Sequence, residues 1–247
     1  MAAGDNMARL DIAQRLLCAI DTVDLAAATS LARDLKGVVG GIKLGLEFFA
    51  AHGGAGVEAL AESGQPIFLD LKYNDIPNTV AGAVRAAAQF KPFMMTVHAA
   101  GGPAMLRGAM AAAFRAADTL GGPRPKVIGV TVLTSFDEDD LGAVGMHGPI
   151  PDQVRRLADL AEGCGLDGIV ASAHEIVALR ARYGPDFLLV VPGIRPAWSS
   201  ADDQKRVIAP AEALRNGADY LVVGRPITNS SDPTAAAARI VDEMAAV

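Results

Sequence analysis

Apolar residues along the chain fall into short, nearly unbroken runs: "LLCAI" (16–20), "VVGGIKL" (38–44), "PIFLDL" (66–71), "FMMTVHA" (93–99), "VIGVTVL" (127–133), "GIVASA" (168–173), "FLLVVPGI" (187–194) and "YLVVG" (220–224). Between them lie Ala-rich segments whose apolar positions recur at helical spacing, among them 24–36, 78–90, 103–120, 152–163, 174–183 and 233–246. Runs without polar alternation suit parallel strands covered on both faces, because neither face meets water. Eight strand–helix units in 247 residues match the size of a (β/α)8 TIM barrel. No Pro-rich or low-complexity linker interrupts the pattern, so a single α/β domain over residues 1–247 is expected. An open doubly wound sheet gives a similar alternation and is the competing architecture.

"GAGVEA" (54–59) matches a dinucleotide fingerprint, GxGxxA. It follows the helical-looking "LEFFAAHG" instead of a strand, and no acid closes a second strand at the required distance, so it reads as a helix break. The segment 136–151, with "GAVGMHGP", is long for a loop of such a barrel.

Composition narrows the partners. A hydrophobic share of 51% supplies a sizeable core, built mostly from aliphatic residues because aromatics make up only 5%. The formal net charge of −6 and the lack of a Lys/Arg run argue against nucleic acid or an anionic membrane as partner. Cys18 and Cys164 are far apart in apolar surroundings and read as core residues of a reduced compartment, with the cytoplasm as the expected location. The first residues, "MAAGDNMARLDIAQRL", carry two acids and no long apolar stretch, so neither a targeting segment nor a membrane span is expected.

The polar residues at the strand ends carry the chemical information, because a barrel of this kind places its active site there. The predicted strands end in or carry Asp21, Lys43, Asp70 with Lys72, His98, Thr134 with Ser135, and Gly224 with Arg225. Strand alternation puts Asp70 and Lys72 on one face, directed into the barrel mouth. An ammonium flanked by carboxylates keeps its proton there, and Asp70, Lys72, Asp75 and Lys43 are expected to form an alternating charge array. A buried ion network that only holds the barrel together is the alternative for any one of these acids. Asp75 also suits the N-cap of a helix starting near Pro77, and Asp24 suits the cap of the helix after Asp21.

Phosphate is expected on the other side of the mouth, after strands 7 and 8. "VPGIRP" brings Arg195 there and "VVGRPI" brings Gly224 and Arg225, with Gln204 of "ADDQKR" as a neutral donor. The four histidines, His52, His98, His147 and His174, show no ligand spacing, and no serine sits in a GxSxG turn. His98 reads as a structural hydrogen-bonding residue, and no metal site is expected.

"DLKYNDIPNTV" closely resembles the signature of the orotidine 5'-phosphate decarboxylase family, a D-x-K-x-x-D array followed by I-P-N-T. "AID", "IKLG", "TVLTS", "PGIRP", "DDQKR" and "VGRPI" resemble further family segments, in order and over nearly the whole chain. The resemblance, of the bacterial type, implies decarboxylation of orotidine 5'-phosphate to UMP, the last step of de novo pyrimidine synthesis, with no cofactor. It implies that Lys72 protonates C6, that Asp70 faces the substrate carboxylate and orients Lys72, and that Asp75 and Thr79 reach a neighbouring site across a homodimer interface. Asp21 and Lys43 would then hold the ribose, Thr134 and Ser135 would lie at the pyrimidine, and Gln204, Gly224 and Arg225, assisted by Arg195, would hold the phosphate.

The enzymatic rival is a magnesium-dependent sugar-phosphate decarboxylase or aldolase of the same barrel, such as 3-keto-L-gulonate 6-phosphate decarboxylase, which shares D-x-K-x-x-D. Its strand 2 carries an acid where this chain has Lys43, and a cation there disfavours a divalent metal. A non-catalytic nucleotide-phosphate sensor would need Arg225 and Gln204 but not Lys72 and Asp70.

Overall fold

A parallel strand can pair with its predecessor only after a crossover, and in this chain helices supply the crossovers. The computed structural model describes residues 12–199 and 208–246. Its strands are β1 (Leu16–Ile20), β2 (Gly41–Leu44), β3 (Ile67–Tyr73), β4 (Met94–His98), β5 (Lys126–Val130), β6 (Gly168–Val170), β7 (Leu188–Val191) and β8 (Tyr220–Val223). Helices α1 (Leu25–Asp34), α2 (Leu46–Ala61), α3 (Pro77–Ala88), α4 (Pro103–Leu120), α5 (Glu138–Ala143), α6 (Ile150–Gly163) and α7 (Ile176–Arg182) follow the first six strands. After β7 comes α8 (Pro210–Arg215), and after β8 come α9 (Arg225–Thr228) and α10 (Pro233–Met244). All neighbouring strands pair in parallel, and β8 returns to β1 with Leu17 opposite Val222, so the sheet closes in the order β1 to β8. Closure makes this a (β/α)8 barrel and excludes the open sheet.

The period of two along each strand divides the apolar residues between two cores. Leu17 and Ala19 of β1 join Phe68, Met94, Ile128, Val190 and Val222 in a cluster inside the ring. Leu16, Cys18 and Ile20 face outward into the larger cluster between strands and helices. Both cysteines are buried free thiols, and burial pushes Cys18 up to about 12.

Helix starts follow local chemistry. Asp24 caps α1 by accepting the Ala27 N–H at 3.0 Å, and proline occupies the first turn of α3, α4, α8 and α10. The stretch 136–151 is not all loop: Asp137 and Asp140 form a capping box that starts α5. "GAGVEA" lies inside α2, whose backbone leaves helical geometry at Gly53 with φ 56° and ψ −150°. At the N-terminal end of the barrel, Arg124 before β5 pairs with Asp167 before β6 at 2.6 Å, and Arg180 of α7 pairs with Asp219 before β8 at 2.5 Å, on the face away from the mouth. No helix among the described residues is long and apolar enough to cross a membrane.

Candidate active site

The first four strands each deliver a polar side chain to the same end of the ring. Lys43 of β2 stands 3.3 Å from Asp21 Oδ1, just past β1, and 3.7 Å from Asp70 Oδ2 on β3. Lys72 Nζ lies 2.8 Å from the same Asp70 oxygen. Thr96 of β4 donates its hydroxyl to Asp70 Oδ1 at 2.9 Å and accepts the Lys72 backbone N–H at 2.9 Å. Asp70 is thus the shared counter-ion of two lysines, at 8% exposure. Burial would raise its pKa, but Lys43, Lys72 and the hydrogen bonds from Lys72 and Thr96 outweigh burial and hold it below the usual carboxylate value.

One sequence expectation holds and another needs correction. Strand alternation carries Asp70 and Lys72 to one face, lining the mouth cavity with Phe68 while Ile67, Leu69 and Leu71 face the outer core, although the register with β4 shifts between Leu69 and Tyr73 and Lys72 adopts a left-handed backbone with φ 50°. A non-glycine residue in that region is strained, and such strain gathers at functional sites. Thr96 holds the irregularity in place, because its hydroxyl takes the N–H that regular strand pairing would have used.

The array itself is Asp21–Lys43–Asp70–Lys72, and Asp75 lies outside it. Strand β3 ends at Tyr73, and residues 74–79 are exposed. Asp75 is not the N-cap of α3 either; Ile76 holds that position without a side-chain bond, while Asp75 Oδ1 accepts the Ile76 N–H at 2.6 Å. Thr79 is exposed one turn further on.

A cavity of about 180 Å³ opens beside the array. Lys43, Asp70 and Lys72 form one wall, and Val130, Val170, Val190 and Val222, from β5 to β8, form the opposite one. Thr134 lines this cavity, while Ser135 is exposed next to it and does not. His98 is half-buried; burial and then Lys72 depress its pKa, against a smaller opposing effect of Asp70. Its ring makes no hydrogen bond to another described residue, contrary to the structural role expected of it.

After β7, Arg195 is buried, with its N–H donated to Ile208 O at 3.0 Å and Nη1 donating to Ile194 O at 3.0 Å. Gly224 precedes α9, which begins with the half-buried Arg225. Gln204 lies outside the described residues. No group of three or more His, Cys, Asp or Glu is arranged to hold a metal among the described residues.

Two residues escaped the sequence reading. A lone threonine in "FMMTVHA" carries no signal beyond ordinary strand preference, so Thr96 was not distinguishable from a packing residue. Gly45 is the other: an added Cβ would stand 2.9 Å from both Asp21 Oδ1 and Lys43 Nζ, so the ion pair occupies the space a side chain would need.

A family model described as "Orotidine 5'-phosphate decarboxylase / HUMPS family" matches residues 14–240. The chain belongs to this family. Among relatives carrying the name orotidine 5'-phosphate decarboxylase, the Rhodospirillum rubrum protein is 56% identical over 227 residues, 92% of each chain. The one from Moorella thermoacetica is 50% identical over 240 residues, 97% of this chain and 95% of its own. The crystal structure of orotidine 5'-phosphate decarboxylase from Lactobacillus acidophilus superimposes with a TM-score of 0.81 at 36% identity, covering 93% of this chain and 98% of that one. Membership of the orotidine 5'-phosphate decarboxylase / HUMPS family brings the barrel from β1 into α10 under one comparison, including every strand that reaches the cavity.

Proposed function

We propose that this chain decarboxylates orotidine 5'-phosphate to UMP without metal or organic cofactor, with Lys72 as the proton donor. The observation that carries the proposal is the Lys72 ammonium, 2.8 Å from a buried carboxylate and lining a small cavity at the barrel mouth. Full-length relatives named for this reaction support the substrate.

In the reaction the C6–carboxylate bond breaks and its electron pair stays on C6, in an orbital orthogonal to the ring π system. The ring cannot delocalise that charge as an electron-sink cofactor would. A fixed ammonium aimed at C6 stabilises the charge as it develops, then transfers a proton to the carbon, leaving UMP and carbon dioxide. The neutral amine recovers its proton from water. Asp70 supplies the counter-charge and, facing the substrate's carboxylate, disfavours the ground state.

The remaining roles follow the polarity of the mouth. Asp21 and Lys43 hold ribose hydroxyls, Thr134 with Ser135 borders the pyrimidine, and Arg195, Gly224, Arg225 and Gln204 hold the phosphate. A Cβ at Gly224 would meet only Ala19, at ordinary contact distances of 3.5 Å and beyond. Packing therefore does not demand glycine there, and its bare backbone would let a phosphate approach closely. We further propose a homodimer in which the exposed Asp75 and Thr79 complete the partner's site. Ile76 between them is 68% exposed, an apolar side chain on the same surface.

The assay is the loss of orotidylate absorbance on adding protein, with and without EDTA. Full activity in EDTA is expected, because the acid that would complete a magnesium site on β2 is replaced by Lys43; dependence on added magnesium would turn the reading toward the sugar-phosphate branch of the family.

Gly45→Ala offers a finer test of the ribose role. The backbone at Gly45, with φ −98° and ψ −169°, suits any residue, and the atoms in the way are the ends of flexible side chains. The variant should fold with an almost unchanged Tm while KM rises roughly tenfold, as expected for displaced positioning groups. An unchanged KM would remove Asp21 and Lys43 from substrate binding.

A further inference from the structure

The two arginines expected at the phosphate come from different segments, and a single helix touches both. Helix α10 packs against α9, whose first residue is Arg225. From the same helix, Arg239 lays its guanidinium over the Trp198 ring, 4.7 Å from the ring centre. Trp198 is the only tryptophan of the chain and lies three residues beyond Arg195.

The intervening residues leave little slack. Ile194 and Ile208 form a one-residue bridge, and the Arg195 N–H donates to Ile208 O at 3.0 Å. The chain then turns tightly, with the Ser199 N–H and hydroxyl both donating to Pro196 O, at 3.0 and 3.1 Å. This turn presents the Trp198 ring to the core cluster. The indole N–H is buried and has no hydrogen-bond partner among the described residues, where the ring is held by packing and by the cation on its face. A guanidinium over an indole is a favourable pairing, and tryptophan is the best of the aromatic partners for it.

We propose that Arg239, acting through Trp198, is a positioning residue for the substrate's phosphate: it fixes the Arg195 segment relative to the Arg225 helix so that both guanidinium groups meet one phosphate. This rests on the phosphate reading above. Arg239 is itself exposed and takes no part in the chemistry. Its effect is therefore confined to the portion of binding that depends on the phosphate.

The test compares orotidine 5'-phosphate with orotidine, which lacks the phosphate, as substrates of Arg239→Ala, Arg239→Lys, Trp198→Phe and Trp198→Leu. Arg239→Ala should raise KM for the phosphorylated substrate about threefold, the scale of a lost cation–aromatic contact at an exposed site, and leave kcat/KM for orotidine unchanged. Arg239→Lys and Trp198→Phe, which keep a cation and a ring, should recover most of the loss, while Trp198→Leu should behave like Arg239→Ala. Equal losses on both substrates would mean a merely structural contact, and no loss on either would mean no role; each overturns the proposal. Arg225→Ala separates the two layers. If it raises KM for the phosphorylated substrate and Arg239→Ala does not, only this inference fails. If Arg225→Ala has no effect, the phosphate site is misassigned and the inference falls with it.

Discussion

Lys72→Ala is expected to abolish turnover of orotidine 5'-phosphate while leaving nucleotide binding largely intact. In the proposed mechanism the ammonium has two tasks, stabilising the developing carbanion and donating the proton, and the variant loses both. Electrostatic stabilisation and general acid catalysis together are worth on the order of 10⁴-fold or more. Binding should survive because the proposed phosphate and ribose contacts belong to β1, β2, β7 and β8 and not to the Lys72 side chain. Single-turnover kinetics and UMP titration of the same preparation measure both quantities. Substantial residual turnover would assign the proton to another group and defeat the mechanism.

Asp70→Asn should produce the second large effect. Asparagine keeps the shape and can still accept the Thr96 hydroxyl, but its amide NH2 then faces the two lysines, so the change removes both the charge and the acceptor that holds Lys72. Lys43 retains Asp21 at 3.3 Å, whereas Lys72 loses the only ion-pair partner it has among the described residues. Activity is expected to fall about 10³-fold, the scale of a removed electrostatic element in a closed site. Breaking a buried pair from one side also costs stability, here about 3 kcal/mol.

The acid limb of stability gives an independent readout. The folded protein holds the Asp70 pKa below its unfolded value, so its contribution is fully present above the unfolded pKa of about 4 and disappears as pH falls through the folded value. Wild type should lose this increment in acid, and Asp70→Asn should lack it at every pH. Denaturant melts at neutral and acidic pH compare the two proteins. Equal acid sensitivity in both would show that Asp70 is not the coupled carboxylate described above.

Much of the fold was legible because parallel strands buried on both faces leave unbroken apolar runs. Their ends were less so. "VIGVTVL" read as one strand over 127–133, yet β5 ends at Val130. Val132 and Leu133 are apolar because they line the cavity, not because they pair in the sheet. Likewise Ile194, read as the end of strand 7, forms only the isolated bridge to Ile208. The short α5 and α8 carry too few turns for periodicity to register.

At the site, the charges were legible because ions at strand ends are rare in a barrel of aliphatic residues. Their connection was not: the left-handed backbone at Lys72 interrupts regular pairing with β4, and only the Thr96 partner in β4 reveals why it persists. The Trp198–Arg239 contact joins residues far apart in sequence and of ordinary types, so nothing local announces it.

The four valines opposite the lysines have an electrical consequence. Water on that side would reorient to oppose the ammonium's field, whereas aliphatic groups barely polarise. The field of Lys72, reduced by its Asp70 counter-ion, is therefore screened less from the valine side than it would be in water, and in the proposed reaction the carbon between the two walls would feel that asymmetry.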